Sequence, residues 1–158
     1  MKTINLGKTG LKIPAVALGC MRITELDRSE VSGYLYHALE LGIHFFDHAD
    51  IYGGGECERI FAEGFSKLDI PRESIILQSK CGIVPGIMYD LSYFFIRESS
   101  FNSFLAFKHG IIHLILINGY DHYKRNILNS GLSRIQKKEK TATYPVKSPF
   151  FYKGSRIL

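Results

Sequence analysis

The sequence predicts an α/β fold: a parallel sheet with covering helices, preceded by a small hairpin. Three observations carry this reading. Short apolar runs at 15–18, 43–46 and 74–77 have the length of buried strands. Two stretches of helical periodicity separate them, and the connections are short. Alternation of this kind argues for βαβ units and a parallel sheet. Periodicity alone does not separate a closed barrel from an open doubly wound sheet.

Each element has its own signal. Residues 2–6 (KTINL) and 11–13 (LKI) flank Gly7-Lys8-Thr9-Gly10, which reads as a hairpin around a glycine-rich turn. Ala15–Leu18 is a first buried strand, ended by Gly19. Thr24-Glu25-Leu26-Asp27 offers a capping box. Val31, Leu35, Ala38 and Leu39 follow at helical spacing, with Gly42 placed to end the helix. Ile43–Phe46 is the second strand, and Glu56–Lys67 is a helix with Ile60, Phe61 and Phe65 on one face. Pro71 breaks the chain before the third strand, Ser74–Leu77.

A chain of 158 residues is long enough to bury a core, and 46% hydrophobic with 22% charged residues is ordinary for a globular protein. The apolar run Ile111–Ile117 is interrupted by His113 and is far short of a membrane span. The N-terminus lacks the apolar segment of a signal peptide, so the expected compartment is cytoplasmic and no membrane partner is expected. Cys20, Cys57 and Cys81 are too few for a disulfide framework, and no Cys/His spacing predicts a structural metal. The net charge of +5 hides a split. Residues 1–92 hold 9 Lys/Arg against 12 Asp/Glu, and residues 93–158 hold 11 against 3, balances of −3 and +8. The expected division is therefore 1–92 and a divergent basic tail, 93–158. Lys137-Lys138-Glu139-Lys140 and the aromatics Phe101, Phe104 and Phe107 match no nucleic-acid module, so no nucleic-acid partner is expected.

The chemistry concentrates in His44–Glu56, HFFDHADIYGGGE, followed by Ser79-Lys80-Cys81-Gly82. Asp47 and Tyr52 span a strand-to-helix junction, and Lys80 closes the next apolar run. In parallel α/β barrels the working residues collect at the carboxyl ends of the strands. An ammonium beside a phenol makes the phenol a stronger acid, and a carboxylate keeps that ammonium charged and oriented. Such a phenol can protonate a carbonyl oxygen as hydride arrives. Gly53-Gly54-Gly55 reads as a turn before a helix start, since no phosphate-loop frame surrounds it. His109 and His113 are four apart but lack a third ligand, and His48 reads as a packing residue.

These segments resemble the aldo/keto reductase family. LGKTGLKIPAVALGCMR is similar to its opening hairpin and first strand, FFDHADIYGGGECERIF to its D-x-A-x-x-Y-G segment, and SIILQSKCGI to its lysine-bearing third strand. The wording is nearest the bacterial oxidoreductases of the family, and the match covers about residues 2–92. The resemblance implies a (β/α)8 TIM barrel, here truncated to the hairpin and about three βα units before a non-family tail. It implies NAD(P)H-dependent reduction of aldehydes or ketones, with NADPH the expected cofactor and a small carbonyl compound the substrate. Of the family's Asp, Tyr, Lys and His, it places the first three at Asp47, Tyr52 and Lys80. Gly19, Cys20 and Met21, with Asp47, would line the nicotinamide end of the cofactor.

The family's His follows the fourth strand in a segment like L-L-H-R-P-D, and no segment here matches it. The loop that grips the cofactor phosphates is also expected to be missing. Tyr89-Asp90-Leu91-Ser92 begins a family helix whose pattern is lost and then resembled again at Tyr120–Ser130. On that reading residues 93–119 are an insertion. The expectation is an impaired reductase, with a binding or regulatory module, or the product of a disrupted reading frame, as alternatives. A truncated barrel also leaves open sheet edges through which the chain would self-associate.

Overall fold

The computed structural model describes residues 1–8, 10–108, 112–118 and 144–146. A five-stranded sheet has the order β3 (Leu18–Gly19), β4 (Phe45–Asp47), β5 (Ile76–Cys81), β8 (Ile112–Ile117) and β9 (Tyr144–Val146). The first four strands are parallel, and β9 runs antiparallel to β8. Helices α1 (Val31–Glu40), α2 (Glu56–Phe65) and α3 (Tyr93–Ala106) fill the crossovers. The small hairpin β6 (Ile83–Val84) and β7 (Met88–Tyr89) follows β5.

The opening hairpin pairs β1 (Thr3–Asn5) with β2 (Lys12–Pro14), and Leu6 donates to Leu11 across the turn. Its Ile13 packs with Leu6, Leu11, Phe45 and Ile76, the last two being the first residues of β4 and β5. The hairpin therefore covers the amino ends of these strands. The carboxyl ends are left for chemistry.

Helix α1 buries Val31, Leu35 and Ala38 at the predicted spacing. It ends as Gly42 predicts: Gly42 at φ +79° donates to Leu39 O, and Ile43 donates to Ala38 O. This is a Schellman cap, which satisfies carbonyls that the last turn would leave unpaired. Ile43 thus serves the cap, and the second strand starts later than predicted, at Phe45. The capping box at Thr24–Asp27 does not form. Ile23–Glu25 is a 3-10 turn that buries Ile23, and α1 begins only at Val31, its first periodic apolar residue. Gly64 of α2 faces α1 so closely that an added Cβ would stand 2.4 Å from Val31 Cγ1.

The main core joins Val31, Leu35, Phe46, Phe61, Ile75 and Leu77 with Phe104, Phe107 and Ile112. Phe61 stacks on Phe65 and packs tilted or edge-on against Phe46 and Phe107. The change in composition at 92–93 falls on a helix start: Ser92 Oγ accepts from Phe95 N, capping α3. Phe104 and Phe107 are core residues, while Phe94 at 74% and Phe101 at 52% exposure face outward. Residues 93–106 and 112–117 form the third helix and the fourth parallel strand. The segment Tyr120–Ser130 and the Lys137–Lys140 run lie outside the described residues. Among the described residues, no helix is long and apolar enough to cross a membrane.

Candidate functional site

Parallel pairing places Gly19, Asp47 and Gln78 side by side on β3, β4 and β5. Side chains alternate along β5. Leu77, Ser79 and Cys81 are buried, while Ile76, Gln78 and Lys80 are half-buried on the other face. Lys80 is the next-to-last residue of β5, whose end lies four residues beyond the predicted one. The ladder continues past β4, with His48 N donating to Gln78 O and Asp50 N to Lys80 O. The loop that carries Tyr52 is thereby fixed to β5.

The structure brings Asp47, Lys80 and Tyr52 together. Lys80 Nζ donates to Asp47 Oδ1 at 2.7 Å and to the backbone oxygen of His48 at 2.6 Å. The same ammonium lies over the Tyr52 ring, 4.9 Å from its centroid. Lys80 and Asp47 side chains are 17% and 26% exposed, so the pair is shielded yet reachable. Gln78 Nε2 donates to Asp47 Oδ1 at 2.5 Å. Tyr52 opens a 3-10 turn whose Gly53, Gly54 and Gly55 all have positive φ. At Gly53 a Cβ would also stand 2.8 Å from Thr24 Cγ2 and 2.9 Å from Cys57 Sγ, so the turn that aims Tyr52 needs glycine there.

Gly19 ends β3 beside Asp47, and Cys20 and Met21 follow it. Cys20 N donates to Asp47 O, and Gly19 is exposed with nothing within 4 Å of where a Cβ would stand. Met21 is exposed, and its carbonyl accepts from the Cys57 thiol. The Cys20 thiol is buried, and desolvation followed by the charge of Asp47 pushes it far up. Burial likewise pushes Cys81 up to about 12. Neither is a nucleophile at neutral pH. Cys20 therefore offers its backbone, not its side chain, to this end of the sheet.

Sequence reasoning missed three polar residues. Gln78 is one. The second is Glu58, which is buried on α2 and accepts from Ser79 Oγ beneath the sheet. Burial pushes its carboxyl up, against the opposing hydrogen bonds from Ser79 and Ser103. The third is Asn118, which follows β8 directly, where the resemblance places the family's His. Its backbone N donates to Cys81 O at 2.7 Å, and a Cβ on Gly82 would lie 2.8 Å from Asn118 O. The available signal was the run Ile111–Ile117 followed by Asn118-Gly119-Tyr120-Asp121, which keeps the Asp of the H-R-P-D pattern.

His48 packs between Phe61 and Phe107, with ring centroids 4.8 and 5.0 Å away. Among the described residues, neither of its ring nitrogens has a hydrogen-bond partner. Desolvation, then the charge of Lys80, holds it down at about 3. The unfolded chain therefore binds this proton from pH 6.5 downward while the folded chain refuses it until about pH 3. Stability contributed by neutral His48 is complete above pH 6.5 and is lost as pH falls toward 3, by on the order of 4 kcal/mol. Urea melts at pH 7 and pH 4 are expected to show that loss in the wild type and a much flatter dependence in His48→Phe. An equal loss in both would remove His48 as its source.

The geometry at these strand ends is accompanied by clear similarity to known proteins. A model of the aldo/keto reductase family matches residues 15–129. The chain belongs to the aldo/keto reductase family. It is 32% identical over 124 residues to a 6-dehydroglucose reductase of Novosphingobium aromaticivorans, covering 73% of this chain and 41% of that protein. It is 32% identical over 82 residues to a probable voltage-gated potassium channel subunit beta of Arabidopsis thaliana, covering 51% of this chain and 25% of that one. Among solved structures, an aldo-keto reductase from Bacillus halodurans in its holo form matches with a TM-score of 0.65 at 25% identity. That match covers 84% of this chain and 48% of the other. The chain thus spans less than half the length of these relatives. Its sheet and helices are a partial TIM barrel, and the family match runs well past residue 92.

Proposed function

We propose that the chain carries the acid–base part of an NAD(P)H-dependent carbonyl reductase site, with NADPH as cofactor and a small aldehyde or ketone as substrate. One observation supports this most: the Lys80 ammonium, held by Asp47 and the His48 carbonyl, lies against Tyr52. The nicotinamide end of a cofactor suits these residues, since Gly19 leaves open space beside Asp47 and the Asp47 carboxylate can accept a ribose hydroxyl. When bound, the reduced cofactor supplies the hydride. Tyr52 gives its proton to the carbonyl oxygen as the new C–H bond forms, and Lys80 stabilises the phenolate left behind. Asp47 keeps Lys80 in place. Among the described residues Asn118, and not a His, follows β8, so no imidazole assists this step from that strand end. The isolated chain is therefore an impaired reductase in this reading.

A second reading, a binding or regulatory role without turnover, is favoured by the similarity to a channel beta subunit. Self-association belongs to either reading, because β3 pairs only with β4 among the described residues and its outer edge is open. The working compartment in both is the cytoplasm.

Titration of purified 1–158 with NADPH, following cofactor fluorescence and particle size together, tests the first reading. Saturable binding in the micromolar range by a monomer or defined oligomer is the expected result. No binding by a soluble, folded chain would overturn it. A stoichiometric protein partner bound without turnover would favour the second.

A further inference from the structure

We propose that Gln78 is a positioning residue for the Asp47–Lys80 pair: its carboxamide fixes the Asp47 carboxylate so that the carboxylate can hold the ammonium against His48 O and Tyr52. The proposal rests on the reading of Asp47, Lys80 and Tyr52 given above and adds to it a residue that does not touch the reacting atoms.

Gln78 and Asp47 are direct partners in the parallel register of β4 and β5. Gln78 and Lys80 are two apart on β5 and share the face opposite Leu77, Ser79 and Cys81. Their donors meet on one atom: Gln78 Nε2 lies 2.5 Å and Lys80 Nζ 2.7 Å from Asp47 Oδ1. A carboxylate bonded to one flexible lysine can pivot about its terminal torsion, which is a soft one. A second donor from the same rigid strand removes that freedom.

The residue type also fits. A carboxamide donates an N–H without bringing charge, so it does not compete with Lys80 for the carboxylate as an Arg or Lys would. A Glu at 78 would face Asp47 as a like charge, and an apolar residue would leave Oδ1 to Lys80 alone. The competing account is that Gln78 only fills space above Ile76, and Met would do that equally well.

The test uses the chain itself and needs no cofactor. Acetylation of Lys80 by acetic anhydride is followed by peptide mass spectrometry, with exposed Lys12 and Lys67 as internal references. Gln78→Met, nearly isosteric, is expected to speed acetylation of Lys80 by about threefold or more, as loss of one hydrogen bond would allow, and to leave the references unchanged. The double variant Asp47→Asn with Gln78→Glu moves the carboxylate to the neighbouring strand and is expected to restore slow acetylation. It also decides the matter if Gln78→Met does not fold. An unchanged Lys80 rate in folded Gln78→Met, or no protection in the folded double variant, would overturn the proposal. Asp47→Asn alone separates the two levels. If it frees Lys80 while Gln78→Met does not, only the role of Gln78 is lost; if neither frees Lys80, the reading of the site itself fails.

Discussion

Tyr52→Phe is expected to remove the proposed carbonyl reduction almost completely, by about 10²–10⁴-fold in kcat, the range that a positioned proton donor contributes. The phenol oxygen is the only atom lost. The ring that Lys80 overlies stays, and so do the bonds from Lys80 to Asp47 and to His48 O. NADPH affinity is therefore expected to change by less than about twofold, because no atom that suits the nicotinamide end is removed. Stopped-flow hydride transfer with a reactive aldehyde, alongside a fluorescence titration of cofactor, reads both quantities on one preparation. A fall in cofactor affinity matching the fall in rate would mean that Tyr52 shapes the pocket and is not the acid. Turnover retained in Tyr52→Phe would mean that another group, or water, delivers the proton.

Sequence and structure agree best where a local signal acts alone. Val31, Leu35 and Ala38 announce their helix by spacing, and Gly42 announces its end, because a Schellman cap needs only the residues beside it. The triad of Asp47, Tyr52 and Lys80 was legible because parallel strands carry their carboxyl ends to one side, and the structure does bring the three together. Strand limits were less legible. Ile43 looks like a strand residue and is used as a cap, while β5 extends to Cys81 because β8, more than thirty residues away, supplies its ladder partner. The change of composition near residue 92 was read as the loss of family structure. It coincides with a helix whose Phe104 joins the main core, together with Phe107 and Ile112 just after it. Phenylalanines can fill such a core without keeping the family's wording, since a core requires volume and apolarity more than identity. Gln78 was invisible for a different reason. A polar residue within a short strand has meaning only through its cross-strand partner, and that partner lies 31 residues earlier.

Asn118→His is the second large effect expected. β8 is the fourth parallel strand, and Asn118 follows it directly, one strand over from Lys80. Its main chain is pinned by the bond to Cys81 O and by the close approach to Gly82, so a change of side chain here does not need to move the backbone. An imidazole at this strand end would add a proton donor beside the carbonyl oxygen that Tyr52 would protonate in the proposed reaction. A carboxamide donates a hydrogen bond but cannot transfer a proton at neutral pH. A gain of about 10–100-fold in kcat/KM for a small aldehyde is expected, part of the full contribution of general acid catalysis because in the proposed reaction Tyr52 already supplies one donor. The pH profile separates this from a packing effect. An imidazole that works as an acid brings a titration near neutrality that Asn118 cannot bring. A gain in rate without a new limb in the profile would assign the effect to substrate orientation. No gain, in a chain that binds NADPH and depends on Tyr52, would mean that the fourth position contributes nothing to the reaction.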